Sequence, residues 1–144
     1  MEKGRYFVKK RVVIKVYKEI IVSIVIIIGI VILNNITENY TKDSLEIMSK
    51  DFNEIRKELL KEDQQKESLL LKIENMKSIW DNRGQKLAYY IEHDELEKVD
   101  TYLTALKSNV ETKEYEQAVE NLDICEYILD HIDDKEAFLL KNIF

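Results

Sequence analysis

The chain has 144 residues, 45% of them apolar and 35% charged, with no proline, three glycines and one cysteine. That length and apolar share fit one modest folded domain and argue against disorder. So few turn-formers exclude a sandwich or barrel of many short strands, and a single cysteine excludes an internal disulfide or a multi-cysteine metal centre.

The net charge of −6 divides into two opposite regions. Residues 1–33 hold seven basic residues against Glu2 and Glu19, and residues 34–144 hold 15 basic residues against 26 acidic ones. At the junction lie Ile20, Ile21, Val22, Ile24, Val25, Ile26, Ile27, Ile28, Ile30, Val31, Ile32 and Leu33, interrupted only by Ser23 and Gly29. A basic arm, an aliphatic run and an acidic body are the composition of a membrane-anchored protein. The run from 20 to 33 is short for a bilayer core of about 30 Å, but helix counted from Val12 to Leu33 rises about 33 Å. Lys15 and Lys18 can extend their ammonium groups to the headgroups. No small-residue cleavage site follows, since the first alanine is Ala88. The expected arrangement is an uncleaved signal anchor over 1–33 with its N-terminus cytoplasmic. A polar connector follows at 34–42, and an outer domain at 43–144.

In that outer domain the apolar residues follow helical spacing. Leu45, Met48, Phe52, Ile55 and Leu59 form one stripe, and Leu69, Ile73, Met76 and Trp80 a second that continues through Gly84, Leu87 and Ile91. Leu96, Val99, Leu103, Leu106 and Val110 form a third, and Tyr115, Ala118, Leu122, Cys125, Leu129 and Ile132 a fourth. Each marks one face of an amphipathic helix. Asp43 and Asp94, each with Glu three residues on, have the pattern of a capping box, and Asp63 and Thr112 are candidate N-caps for the second and fourth helices. Stripes and caps recur at offsets of 51 and 49 residues, which suggests two related helical hairpins. The expected class is all-α, with one transmembrane helix followed by an antiparallel bundle of about four helices. The second bundle helix should cover about 64–93, with Gly84 allowing close helix contact.

Several segments together carry a family likeness: the stretch from Trp80 through Ile91-Glu92-His93-Asp94-Glu95-Leu96, then Tyr102 to Lys107, Ala118-Val119, His131-Ile132 and the ending Leu139-Leu140-Lys141-Asn142-Ile143-Phe144. This set resembles domain of unknown function family 4363, small clostridial-type membrane-anchored helical proteins. The approach at 12–18 is longer than that pattern. The resemblance implies location and architecture, and no activity.

Candidate chemistry concentrates in His93-Asp94-Glu95 and Asp130-His131-Ile132-Asp133-Asp134. Hairpin pairing brings both histidines to one end of the bundle. There His93, Asp94, His131, Asp133 and Asp134 are metal-ligand candidates, or the parts of a pH-sensitive latch, since imidazole titrates near neutrality. The competing reading is a structural His–carboxylate contact, because adjacent residues point to different helix faces. No phosphate loop, G-x-S-x-G or H-E-x-x-H occurs, so neither an enzyme nor a cofactor is expected. The acidic body disfavours nucleic acid. Cys125 reads as a small buried thiol. Trp80 and the apolar ending Phe138, Leu139, Leu140, Ile143 and Phe144 either close the core or dock a partner, and Tyr89, Tyr90, Tyr102, Tyr115 and Tyr127 share that ambiguity. The expected role is a non-catalytic accessory or structural module, with membrane lipid and another envelope protein as partners. The alternative is a small-ligand, metal or pH sensor at the His93/His131 end.

Overall fold

A computed structural model describes the backbone of residues 2–141 and the side chains of residues 15–135. Its elements are α1 (Glu2–Leu59), α2 (Lys66–Leu87), α3 (His93–Thr112) and α4 (Tyr115–Lys141), and no strand occurs among the described residues. The chain divides into two units, Met1–Glu38 and Asn39–Phe144.

In the first unit, the described part of α1 presents an aliphatic surface. Ile20 through Ile30 and Ile32–Leu33 are exposed wherever an apolar side chain occurs, each by about half or more, and Val31 is half-buried. The helix that carries this run, taken from Lys15, is long and apolar enough to cross a membrane, with a mean hydropathy of 2.7 over its best 18-residue window and none of that window buried. Ser23 does not interrupt the helix, because its hydroxyl donates to the Glu19 carbonyl at 2.9 Å.

The second unit is a four-helix assembly whose core comes from the stripes. Met48, Phe52 and Ile55 of α1 meet Leu69, Ile73 and Met76 of α2, Val99, Leu103 and Leu106 of α3, and Ala118, Leu122 and Cys125 of α4, all at 0 or 1% exposure. Each large side chain buried this way contributes about 1.5–3 kcal/mol relative to exposure. α3 packs against both α2 and α4. The bundle part of α1 is tied across by Arg56, whose Nη2 lies 2.8 Å from Asp123 and 2.6 Å from Glu126 of α4. On its other side Lys72 and Arg83 of α2 reach Glu58 and Asp43, both at 2.8 Å.

The structure moves every expected cap. Asp43 lies within α1, because the polar stretch 34–42 is itself helical. That stretch contains neither glycine nor proline, and Thr37 and Ser44 return their hydroxyls to the Asn34 and Tyr40 carbonyls at 2.9 and 2.6 Å. α2 has Gln65 as its N-cap rather than Asp63, and α3 has Glu92 rather than Asp94, neither with a side-chain cap bond. Asp94 and Glu95 occupy the first turn of α3, where negative charge complements the helix dipole. Thr112 ends α3 instead of starting α4, and its hydroxyl donates back to Ser108 and Asn109. The kinship of the two hairpins therefore rests on the stripes alone.

Two connections decide what lies at the ends of the bundle. α2 stops at Leu87, short of the expected 93, because the Leu87 carbonyl accepts from both Tyr90 N at 3.0 Å and Ile91 N at 2.8 Å. That tight turn folds Ile91 into the core at 6% exposure and throws Tyr89 outward at 89%. Gly84 is not a contact glycine, since a Cβ there would meet nothing within 4 Å. Between α3 and α4, Lys113 adopts φ 65°, with its N–H donating to Val110 and the Glu114 N–H to Asn109. This is a Schellman termination with lysine in the left-handed position that glycine usually fills.

Candidate functional site

The first half of α3 and the middle of α4 enclose a groove of about 400 Å³, lined by Glu92, Asp94, Glu95, Lys98, Tyr102, Ile124, Tyr127, Ile128 and His131. Its floor is polar. The Glu95 side chain is 11% exposed and lies 3.3 Å from Lys135 Nζ and 3.7 Å from His131 Nε2. His131 and Lys135 stand four residues apart on α4, so both reach the same carboxylate from one helix face. Lys135 also holds Glu92 at 2.8 Å. That hydrogen bond and charge keep the Glu92 carboxyl below its ordinary range, and the same contact, joined by Glu95, raises the Lys135 ammonium. The wall is apolar and largely open, with Tyr127 at 73% and Ile124 at 36% exposure. An anchored acid beneath two tyrosines and two isoleucines suits a side chain with an apolar stem and a polar tip.

The two histidines reach this end of the bundle but do not converge. His131 lines the groove, whereas His93 is outside that lining, 79% exposed and 3.9 Å from Glu97 on its own helix. Asp94 lies on the groove wall, Asp133 lines a separate groove with Lys42, Glu46 and Glu126, and Asp134 is exposed. Among the described residues no three His, Cys, Asp or Glu side chains are grouped to hold a metal ion. The metal set is thus corrected to a dispersed one, because neighbours in sequence project from different sides of a helix. Trp80 is a core residue at 3% exposure, which removes it from the surface a partner meets. Cys125 is buried with Sγ 3.8 Å from the Val99 carbonyl, and burial pushes its thiol up to about 12. The side chains of Phe138, Leu139 and Leu140, and Ile143 and Phe144 entirely, lie outside the described residues. Lys135 was the residue that motif reading missed, although its spacing of four from His131 was the available signal.

A family model for a domain of unknown function, DUF4363, matches residues 35–143. The chain belongs to the DUF4363 family. The match takes in the groove and all the buried stripes, and the aliphatic run at 20–33 precedes it. No curated protein and no solved structure matches the chain.

Proposed function

We propose that this DUF4363 protein is a single-pass membrane protein whose helical domain is displayed on the outer face as a non-catalytic accessory module for an envelope protein. The observation that carries the anchor is the exposure of the Ile- and Val-rich surface of α1. Left in water, each such side chain forfeits about 1.5–3 kcal/mol that an apolar surrounding would supply. The seven basic residues before Asn34 orient the span with its N-terminus in the cytoplasm. The partner reading is supported by the α3–α4 groove, where exposed Tyr127 and Ile124 flank a fixed carboxylate.

Carbonate extraction tests the anchor: the full chain should stay with the membrane, and release without detergent would refute it. Protease added to intact cells should digest the domain after residue 34. A photocrosslinker at Tyr127 should capture one stoichiometric envelope protein, and the same label at Leu71, exposed on α2 and outside the groove, should not.

A second reading is favoured by one contact, the nearly buried Glu95 facing His131 and Lys135. In it the groove responds to pH or to a small ligand. A melting midpoint of the full chain in detergent that changes between pH 5.5 and 7.5, and changes less in His131→Gln, would favour it.

A further inference from the structure

The α2–α3 turn stands at the end of the bundle that begins at Asn39. There α2 reaches the first bundle turn of α1 through Arg83 Nη1, which donates to Asp43 at 2.8 Å and to the Ser44 hydroxyl oxygen at 3.0 Å. Lys86 and Arg83 also lie over the Tyr40 ring, 5.3 and 5.6 Å from its centroid. Tyr89 projects from this end at 89% exposure on a turn whose backbone is fixed by the paired bonds to Leu87. Its acidic neighbours are matched, Asp43 by Arg83 and Glu92 by Lys135.

Six residues, and so seven steps of backbone, separate Leu33, the last of the aliphatic run, from Tyr40. Even fully extended they span at most about 25 Å, so the chain itself limits how far this end can stand from a membrane surface. An outward tyrosine beside a lysine is the pairing that suits a headgroup layer, with the ring at the acyl boundary and the ammonium toward phosphate. At the opposite end Tyr115 stands with Lys66 and Lys113, but that ring is half-buried against the core and does not project. The α1–α2 connection there reads Leu60-Lys61-Glu62-Asp63-Gln64-Gln65, in which Leu60 is the single apolar residue.

We infer that the α2–α3 turn is a lipid-contact site, with Tyr89 at the phospholipid headgroup boundary and Lys86 facing the phosphates. This rests on the membrane-anchor reading. It assigns the lipid surface a second role, that of holding the domain at the bilayer.

The test uses the full chain in vesicles of phosphatidylcholine and phosphatidylglycerol, in a Trp80→Phe background. One variant carries Tyr89→Trp and the other Leu60→Trp, both at exposed positions. With lipid brominated near the headgroup, emission from position 89 should be blue-shifted and quenched several-fold more than emission from position 60. Equal quenching in protein that floats with the vesicles overturns the inference while leaving the anchor intact. Protein that fails to float with vesicles overturns the anchor and the inference with it. The unaltered chain gives a second measurement by water-soluble iodination. In vesicles Tyr89 should react more slowly than Tyr127, although it is the more exposed ring in the isolated molecule. The reverse order overturns the contact.

Discussion

Within the single helix α1, residues 20–33 and 45–59 use the same backbone for different surroundings. In the first stretch apolar side chains point in every direction and are exposed, whereas in the second they recur every three or four residues and are buried. A helix apolar all round needs an apolar medium, and a striped helix needs only a protein partner along the stripe. The difference teaches that continuity of secondary structure does not imply continuity of environment. Side-chain pattern marks where the surroundings change, and it does so without a break in the helix.

The largest expected effect comes from charging the first stretch. Ile24→Asp with Ile28→Asp should cost insertion about 5–7 kcal/mol, at about 2.5–3.5 for each acid near a span centre. Carbonate extraction should then release the chain while the melting midpoint of the bundle stays unchanged. Loss of bundle stability in that variant would break the separation between the two stretches. The converse substitution is Phe52→Ala, fully buried in the second stretch. It should lower unfolding stability by about 3–5 kcal/mol through lost burial and a cavity, with the chain still in the membrane fraction.

Smaller changes sharpen what the bundle tolerates. Gly84→Ala should raise stability by about 0.5–1 kcal/mol, because alanine suits a helix better than glycine and the space for its Cβ is open. Asp51→Asn should give a smaller gain that depends on pH. Burial first, and Glu54 second, push the Asp51 carboxyl above its ordinary value of 3.8, and its Oδ2 has no hydrogen-bond partner among the described residues. The native state therefore binds this proton more tightly than the unfolded chain. The associated stability is complete below pH 3.8 and is lost as pH rises through the folded-state value. Urea unfolding should show the Asn variant ahead of its parent at pH 7 and level with it below pH 3.8.

Much of this architecture was legible in the sequence because burial has a period. Every large aliphatic residue of the four stripes, from Leu45 to Ile132, is buried, and the aliphatic run was visible from composition. Helix ends were not legible, since a capping box is a statement about backbone angles as well as residue types. Asp43-Ser44-Leu45-Glu46 has the right letters, but the preceding polar residues are helical and deny Asp43 the extended conformation of a cap. Ile91 fits the rhythm of the second stripe yet reaches the core through a turn, and the same turn exposes Tyr89. At the groove, hairpin pairing brings Glu95 and His131 together and the spacing of four adds Lys135, while the outward course of His93 depends on helix rotation that spacing alone does not fix.

The Lys113 termination has a consequence for the order in which the domain assembles. α3 and α4 close on each other across two residues, whereas α1 meets α4 through Arg56 and Glu126, 70 positions apart. Loop-closure entropy favours the near pair, so the C-terminal hairpin forms ahead of the contact between α1 and α4. Truncating Val110 should accordingly slow folding, and truncating Ile55 should mainly speed unfolding. The last pair of helices in the chain is then the surface on which the contact between α1 and α4 completes the bundle.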